Sequence, residues 1–305
     1  MASLFQRFRR PTVVLERPEQ DKRFRIFGGR RHLAAIPYPL PKDMGEINRL
    51  DFQHYLLRTG IGANFIAPVS QPRAILDVGS GSGRWAMEVA AQFPAAQVTG
   101  VDLVAPSVDI SQVLGQGLDA RPANFTFALG NILEGLPFPD ASFDFVHQRL
   151  LITAIPKRNW PNVIAELVRV TRPGGWIELA ECGVAERGGP GYMGLWGSWI
   201  EFLDTRGVDF SLGHSIGQML ASGGLSDVTQ RQLYFPMGAW GGRVGRSSAT
   251  DCLAVGKALR AGVIAAGVLP EADYDRLYAL AEREFASPRG AGVLPFYLAC
   301  GRRTA

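Results

Sequence analysis

A glycine-rich loop directly after a short apolar run is the feature that most constrains the fold of this chain. Residues 74–78 (Ala-Ile-Leu-Asp-Val) read as a buried strand, and Gly79, Gly81 and Gly83 follow with GxGxG spacing. Residues 85–90 then place apolar side chains at helical spacing. Glycine allows the tight turning and close ligand approach that such a junction needs. The segment therefore predicts a strand, a tight turn and a helix, although a turn that binds no ligand also selects glycine.

The same alternation continues along the chain and predicts an α/β fold. Short apolar runs predict strands, and apolar residues at helical spacing predict helices. The predicted strands are 74–78, 97–101, 124–128, 143–146, 176–180, 228–235 and 294–300, and the predicted helices are 85–90, 107–118, 160–170, 216–221, 250–265 and 271–285. Repeated strand–helix units form a parallel sheet with right-handed crossovers. We therefore expect a Rossmann-like, doubly wound, mostly parallel seven-stranded sheet with helices on both faces.

Composition narrows the class of protein further. With 305 residues, 47% of them hydrophobic and 20% charged, the chain can bury a sizeable core. Cys182, Cys252 and Cys300 lie far apart without a CxxC pair, so neither a metal site nor a disulfide framework is expected. No apolar run has the length of a signal peptide core or a membrane span. A protein of the reducing cytoplasm fits these features best.

Positive charge is concentrated near the N-terminus, although the formal charge of the whole chain is only +4. Such a basic arm suits contact with anionic lipid, nucleic acid or an acidic substrate. The alternative is a solvated face that folds onto its own chain or a neighbouring subunit, which leaves a homo-oligomer open. The basic residues are Arg7, Arg9, Arg10, Lys22, Arg23, Arg25, Arg30 and Arg31.

The glycine spacing and Asp102 together indicate what the loop binds. Dinucleotide-binding loops space their glycines as GxGxxG, so that a pyrophosphate rests on the helix N-terminus. The spacing here is tighter, and Asp102 closes the second predicted strand. A carboxylate in that position can accept hydrogen bonds from both ribose hydroxyls of an adenosine group. The pattern therefore favours a nucleoside ligand without a diphosphate.

Residues 75–83 resemble the cofactor loop of the class I S-adenosylmethionine-dependent methyltransferases. In that family pattern Asp102 matches the ribose-binding acid, and residues 130–132 match the turn that contacts adenine. Asn131 replaces the commoner Asp; its amide oxygen can still accept from the adenine amino group, without charge assistance. The resemblance implies S-adenosylmethionine as the cofactor and S-adenosylhomocysteine as the product, bound by Asp77, Gly79, Ser80, Gly81, Gly83, Asp102, Leu103, Asn131, Ile132 and Gln148.

Residues 38–54 are similar to the leader of a narrower subgroup, which includes methyltransferases of fungal and bacterial secondary metabolism. The resemblance implies that an N-terminal leader, residues 1–60, packs over the cofactor site of a methyltransferase domain spanning 61–305. Tyr38, Arg49 and His54 are then candidates for closing the pocket. The alternative is an ordinary amphipathic helix with a solvated polar face. Substrate-cap insertions are expected near 183–215 and 240–290.

The candidate catalytic residues are His147 and Glu181. Methyl transfer from a sulfonium is an in-line displacement, so the protein mainly positions and desolvates the reactants. A base is needed only where the acceptor must lose a proton. His147 follows the fourth predicted strand and Glu181 ends the fifth, at the edge where ligands gather in this fold. The alternatives are a packed histidine with satisfied nitrogens and a glutamate that caps a loop.

The candidate acceptor site is apolar. Tyr38 from the leader, and Tyr192, Trp196 and Trp199 from the first insertion, are predicted to line a hydrophobic substrate pocket, although near-helical spacing of aromatics is also typical of core packing. Neither an Asn-Pro-Pro-Tyr-like sequence nor a Pro-Cys nucleophile is present, so a DNA base is not the expected acceptor.

These features predict methyl transfer to oxygen or carbon of a small hydrophobic metabolite. Two alternatives stay open. A methyltransferase acting on a protein or RNA partner would use the basic arm, and a non-catalytic regulator would keep only the cofactor fold.

Overall fold

The computed structural model describes residues 22–34, 38–105, 121–290 and 292–304. The strands in these ranges are β1 (Phe24–Phe27), β2 (Arg30–Leu33), β3 (Ala74–Val78), β4 (Gln97–Asp102), β5 (Phe125–Leu129), β6 (Phe143–Arg149), β7 (Thr171–Cys182), β8 (Leu225–Met237) and β9 (Gly292–Arg303). The α-helices are α1 (Met44–Ile61), α2 (Arg84–Gln92), α3 (Trp160–Val170), α4 (Pro190–Asp204), α5 (Ile216–Ser222), α6 (Gly242–Ala265) and α7 (Glu271–Ala286). The predicted helix 107–118 lies outside the described residues.

Strands β3 to β9 form one seven-stranded sheet in the order β5-β4-β3-β6-β7-β9-β8. Neighbours from β5 to β7 run parallel, whereas β9 is antiparallel to both β7 and β8. The chain order reverses between β3 and β6, and ligands bind at such a switch point beyond the carboxyl ends of the strands. The predicted Rossmann-like, mostly parallel sheet is confirmed.

The centre of the sheet is buried on both faces, as parallel strands require. Ile75, Leu76, Phe145, Ile177 and Leu179 are fully inaccessible to water. Side chains of this size each stabilise the fold by about 1.5–3 kcal/mol when buried. The apolar runs that predicted these strands therefore form the core. This core fixes the strand ends at which the site lies.

Two predicted boundaries differ from the observed ones. His147 and Gln148 lie inside β6, not after it, because the strand continues in register with β3 and β7. Helix α6 begins eight residues before the predicted start at Thr250. Its first turns are rich in glycine and serine, which weakens the helical pattern. Glycine is required there, since a Cβ on Gly245 would lie 2.2 Å from the Gly238 carbonyl oxygen.

The leader helix α1 buries part of its polar face. Asp43 caps the helix by accepting from the Glu46 amide at 3.0 Å, and Arg30 of the β1–β2 hairpin pairs with the same carboxylate at 2.6 Å. Glu46, Arg49 and His54 are all less than 9% exposed. The solvated polar face considered as an alternative for this helix is therefore wrong, because the polar side chains contact other parts of the chain.

The cap between β7 and β8 contains α4. Pro190 stands at its first position, where a missing N–H costs nothing. Both carboxylate oxygens of Glu284, from α7, accept from the amides of Gly191 and Tyr192 at 2.8 and 2.9 Å. Such capping satisfies donors that the helix itself cannot pair. In the described parts of the chain, no helix has the length and apolar character needed to cross a membrane.

Candidate active site

A cavity of about 290 Å³ lies at the carboxyl ends of β3, β4 and β6, at the switch point of the sheet. Polar residues from the strand ends and from α1 surround one part of it, and apolar residues from α4 and α6 surround another. The polar part includes Lys42, Arg49, His54, Asp77, Asp102, Asn131, His147 and Arg149, and the apolar part includes Trp196, Trp199, Ile200, Leu203, Val255 and Leu259.

The loop after β3 has the backbone that its glycines predict. Gly79, Gly81 and Gly83 have φ angles of 70°, 55° and 79°, a region that strains other residues. A Cβ on Gly79 would lie 2.5 Å from Leu151, so that position also lacks space for a side chain. Gly79, Ser80 and Gly81 line the cavity, whereas Gly83, the N-cap residue of α2, does not.

Asp102 is buried at the end of β4 and faces the cavity. One carboxylate oxygen accepts from the Gly81 amide at 2.9 Å, and the other accepts from Lys42 Nζ at 3.2 Å. Burial lowers the pKa of Lys42, but the Asp102 carboxylate raises it, and the net direction is upward. Lys42 also lies 5.0 Å from the centre of the Tyr38 ring, which lines the cavity. The leader therefore contacts the predicted ribose-binding acid directly.

The adenine side of the predicted cofactor site lies beside the ends of β4 and β5. Leu103, directly after β4, and Asn131 and Ile132, in the turn after β5, all line the cavity. Asn131 Oδ1 accepts from the Leu133 amide at 3.1 Å, and its Nδ2 donates to Glu134 at 2.9 Å. A carbonyl oxygen has two lone pairs, so Oδ1 keeps one for a ligand donor.

His147 is held tightly under the cavity. Its Nδ1 donates to Asp77 Oδ1 at 2.9 Å, and its ring stacks on Trp85 with centroids 3.7 Å apart and planes 4° apart. Burial lowers the pKa of His147, although the Asp77 carboxylate raises it, and the net direction is downward. These contacts correspond to the packed histidine that was the alternative to a catalytic base.

Glu181 and Gln148 do not line the cavity, and both are inaccessible to water. The Glu181 carboxylate accepts from the amides of Leu151 and Ile152 at 3.0 and 3.2 Å. It thus holds the segment that follows β6, whose Leu151 abuts Gly79. This geometry corresponds to the loop-capping alternative.

The pH dependence of stability tests the buried state of Glu181. Burial raises its pKa from 4.5 to about 8, although its hydrogen bonds lower it. The folded state then keeps a proton that the unfolded chain releases, so stability falls as pH rises from about 4.5 to about 8. We expect Glu181→Gln to remove about 2 to 3 kcal/mol of the decline in unfolding free energy between pH 5.5 and 8.5.

Urea denaturation at the two pH values measures this difference. Glu282→Gln, on an exposed position of α7, is the matched control and should keep the wild-type decline. A decline of equal size in Glu181→Gln and wild type would mean that Glu181 is already ionised in the folded state.

Two of the three predicted aromatic residues of the cap reach the cavity. Trp196 and Trp199 line it, whereas Tyr192 is buried against Phe285 and does not. Trp199 Nε1 donates to the Tyr274 hydroxyl at 3.0 Å. Trp196 Nε1 is shielded from water and has no hydrogen-bond partner in the described chain. Core packing therefore accounts for Tyr192, and Trp196 lines the cavity with a buried N–H that no described group accepts.

The sequence analysis missed a buried charge cluster between α1 and α6. Arg49 donates to Glu46 at 2.7 Å and to Asp251 at 2.8 Å, and Gln53 donates to the second Asp251 oxygen at 2.8 Å. Arg49, Gln53 and Asp251 all line the cavity. Asp251 lies 202 residues from Arg49, and no local sequence signal connects the two.

The residues at the strand ends fit an adenosyl cofactor. The glycine loop lines the cavity with its backbone, and Asp102 faces the same cavity. Arg149 Nη1 is shielded from water and without a partner in the described chain. In the described residues no group of three or more metal-ligating side chains could hold a metal ion.

Comparisons with known proteins find methyltransferases. A family model described as a methyltransferase domain matches residues 75–175. The methyltransferase str3 of Strobilurus tenacellus is 34% identical over 222 residues, covering 67% of this chain and 72% of the relative. The N-methyltransferase tcpN of Claviceps purpurea is 34% identical over 149 residues, covering 46% of this chain and 50% of the relative.

Among solved structures, the YcgJ protein of Bacillus subtilis shares the fold. It superposes with a TM-score of 0.52 at 18% identity, covering 83% of this chain and 99% of that chain. The glycine loop, the acid at the end of β4 and the fungal relatives all indicate the same family. The chain belongs to the class I S-adenosylmethionine-dependent methyltransferases and is an enzyme that uses S-adenosylmethionine as its methyl donor.

Proposed function

We propose that this enzyme methylates oxygen or carbon of a small hydrophobic metabolite that binds between α4 and α6. The observation that carries the proposal is the continuity of the cavity. Its polar part lies at the glycine loop, and its apolar part is lined by Trp196, Ile200, Leu203, Val255 and Leu259. Apolar walls with a few polar groups are typical of small-molecule sites. Fungal relatives named as methyltransferases support methyl transfer as the reaction.

In this proposal the protein positions the reactants and excludes water. S-adenosylmethionine supplies the activated methyl group, and Asp102 binds the ribose of the cofactor. Leu151 and the apolar cap shield the reacting atoms from water, which strengthens the electrostatic interactions inside the site. Trp196 offers its unpaired indole N–H to an acceptor oxygen. His147 positions Asp77, and Glu181 positions the segment that contains Leu151.

Nitrogen is the second candidate atom, and the name of one relative favours it. An amine needs no dedicated base if it binds unprotonated. The relative tcpN is named an N-methyltransferase.

A protein or RNA partner is less well supported. Arg30 of the basic arm is held by Asp43, and Arg31 Nε donates to the Lys42 carbonyl at 2.7 Å. These contacts engage the two arginines within the chain. Lys22, Arg23 and Arg25 stand at exposed positions of the described chain. Arg7, Arg9 and Arg10 lie outside the described residues.

Mass spectrometry of the purified protein, together with methyl transfer from labelled S-adenosylmethionine, tests the proposal. A panel of apolar phenols, enolisable ketones and amines should include acceptors, and the labelled product identifies the atom. Methylation of protein or RNA from a cell extract, with no labelled small molecule, would overturn it.

Filling the apolar part of the cavity should separate acceptor binding from cofactor binding. Val255→Trp places an indole among the residues of α4 and α6 that line the cavity. We expect at least about a tenfold loss of acceptor turnover, since overpacking removes the space for the acceptor, with S-adenosylhomocysteine affinity changed less than about threefold. Calorimetry and turnover measure the two effects. Thr250→Trp, on an exposed position of the same helix, is the control. Equal losses of both quantities in Val255→Trp would contradict this assignment.

A further inference from the structure

Arg149 ends β6 and lines the cavity, with no role assigned above. Its Nη2 lies 3.1 Å from His54 Nδ1. Its Nη1 is shielded from water and has no hydrogen-bond partner in the described chain. A charged nitrogen left unpaired in such a place costs folding free energy. A ligand group that accepts a hydrogen bond from Nη1 would remove this cost.

The neighbouring carboxylates do not hydrogen-bond to Arg149 Nη1. Asp77 accepts from His147, and Glu178 accepts from the amides of Ile66 and Ala67 at 2.8 and 2.7 Å. These acids interact with the Arg149 guanidinium through their charge, as Glu88 also does.

Glu88 is likewise engaged elsewhere. One of its oxygens accepts from Arg58 at 3.2 Å, and the other lies 3.1 Å from His54 Nε2. The charges around Arg149 are thus balanced by these acids, although Glu178 Oε1, like Arg149 Nη1, has no hydrogen-bond partner in the described chain. None of the acids accepts from Nη1, and this donor remains unpaired on a residue that lines the cavity.

The position of Arg149 in the sheet indicates which part of the cofactor it faces. Strand β6 is the parallel neighbour of β3, and Asp77 is paired with His147 in their register. Arg149 is two residues beyond His147 and so lies on the same face, beside the start of the glycine loop. Asp102, the predicted ribose acid, ends β4 on the other side of β3. Arg149 is therefore separated from the ribose side of the site by the glycine loop.

We propose that Arg149 binds the α-carboxylate of the methionine portion of S-adenosylmethionine. A guanidinium matches a carboxylate in charge and geometry, and this carboxylate is the only anionic group of the cofactor. The proposal rests on the cofactor assignment above and adds to it a specific contact. It also gives the enzyme a means to discriminate against adenosyl thioethers that lack the amino acid.

Calorimetric titration with two ligands tests the contact without measuring turnover. S-adenosylhomocysteine carries the carboxylate, whereas 5′-methylthioadenosine shares the nucleoside and the thioether but lacks the amino acid. Arg149→Met should weaken S-adenosylhomocysteine about 10- to 100-fold, as expected for loss of a charged hydrogen bond. The affinity for 5′-methylthioadenosine should change less than about threefold. Arg149→Lys, which keeps the charge without the planar fork, should lie between wild type and Arg149→Met.

Arg58→Met is the matched control, because Arg58 also contacts Glu88 but does not line the cavity. It should leave both affinities unchanged. Equal weakening of the two ligands in the Arg149 variants would overturn the proposal and assign Arg149 a structural role beside His54. Unchanged binding of both ligands would also overturn it. Wild-type protein that binds neither ligand would instead refute the cofactor assignment, so the two failures are distinguishable.

Discussion

Replacing Asp102 with alanine is expected to weaken S-adenosylhomocysteine at least about 100-fold. The carboxylate lies at the end of β4, faces the cavity and is buried. Two hydrogen bonds from ribose hydroxyls to a charged group account for a loss of this size. Calorimetric titration with S-adenosylhomocysteine measures it, and Asp102→Asn, which keeps the shape, should give a smaller loss.

The ion pair with Lys42 requires its own control, because Asp102→Ala also leaves the Lys42 ammonium without its partner. Lys42→Met removes the same ion pair and keeps the carboxylate. It should bind S-adenosylhomocysteine at least as tightly as wild type, since the carboxylate is then free for the ribose. A 100-fold loss in Lys42→Met, or unchanged affinity in Asp102→Ala, would contradict the ribose role of Asp102.

Gly79→Ala is the second substitution with a large expected effect. A methyl group there would lie 2.5 to 2.9 Å from three atoms of Leu151, at a φ angle of 70°. Leu151 cannot withdraw easily, because Glu181 holds its backbone amide. The loop must therefore shift, and we expect S-adenosylhomocysteine affinity to fall at least about 30-fold, since displaced backbone loses its close approach to the ligand.

Gly62→Ala is the control that separates the effect of backbone strain on stability from the effect of a displaced glycine loop on affinity. Gly62 ends α1 with a φ angle of 83°, and no atom lies within 4 Å of an added Cβ. Both substitutions should cost about 1 kcal/mol of stability from the positive φ angle, but Gly62→Ala should leave the affinity unchanged. Chemical denaturation and titration together distinguish the two effects. Equal affinities in the two variants would mean that the ligand does not approach Gly79.

The fold and the cofactor end of the site could be predicted because their signals are local. Apolar runs such as residues 74–78 mark buried strands, and the GxGxG loop marks the turn that follows. Asp102 could be placed because the carboxyl ends of parallel strands lie at one edge. The β-strand register then brings these residues together without any further information.

The remaining site residues depend on contacts between distant segments. Lys42 meets Asp102, and Arg49 meets Asp251, across 60 and 202 residues. Glu181 stands near the end of its predicted strand, but only tertiary structure shows that its oxygens are taken by two backbone amides. Arg149 could have been noticed as a basic residue at the end of the fourth strand, where His147 received attention instead.

A crystal structure of the protein with S-adenosylhomocysteine would show the cofactor contacts themselves. We expect the nucleoside at the carboxyl ends of β3 and β4, with both ribose hydroxyls on Asp102 and the adenine beside Ile132. The thioether sulfur should face the apolar part of the cavity between α4 and α6. A ligand bound elsewhere, or ribose hydroxyls without contact to Asp102, would refute the cofactor site proposed for this enzyme.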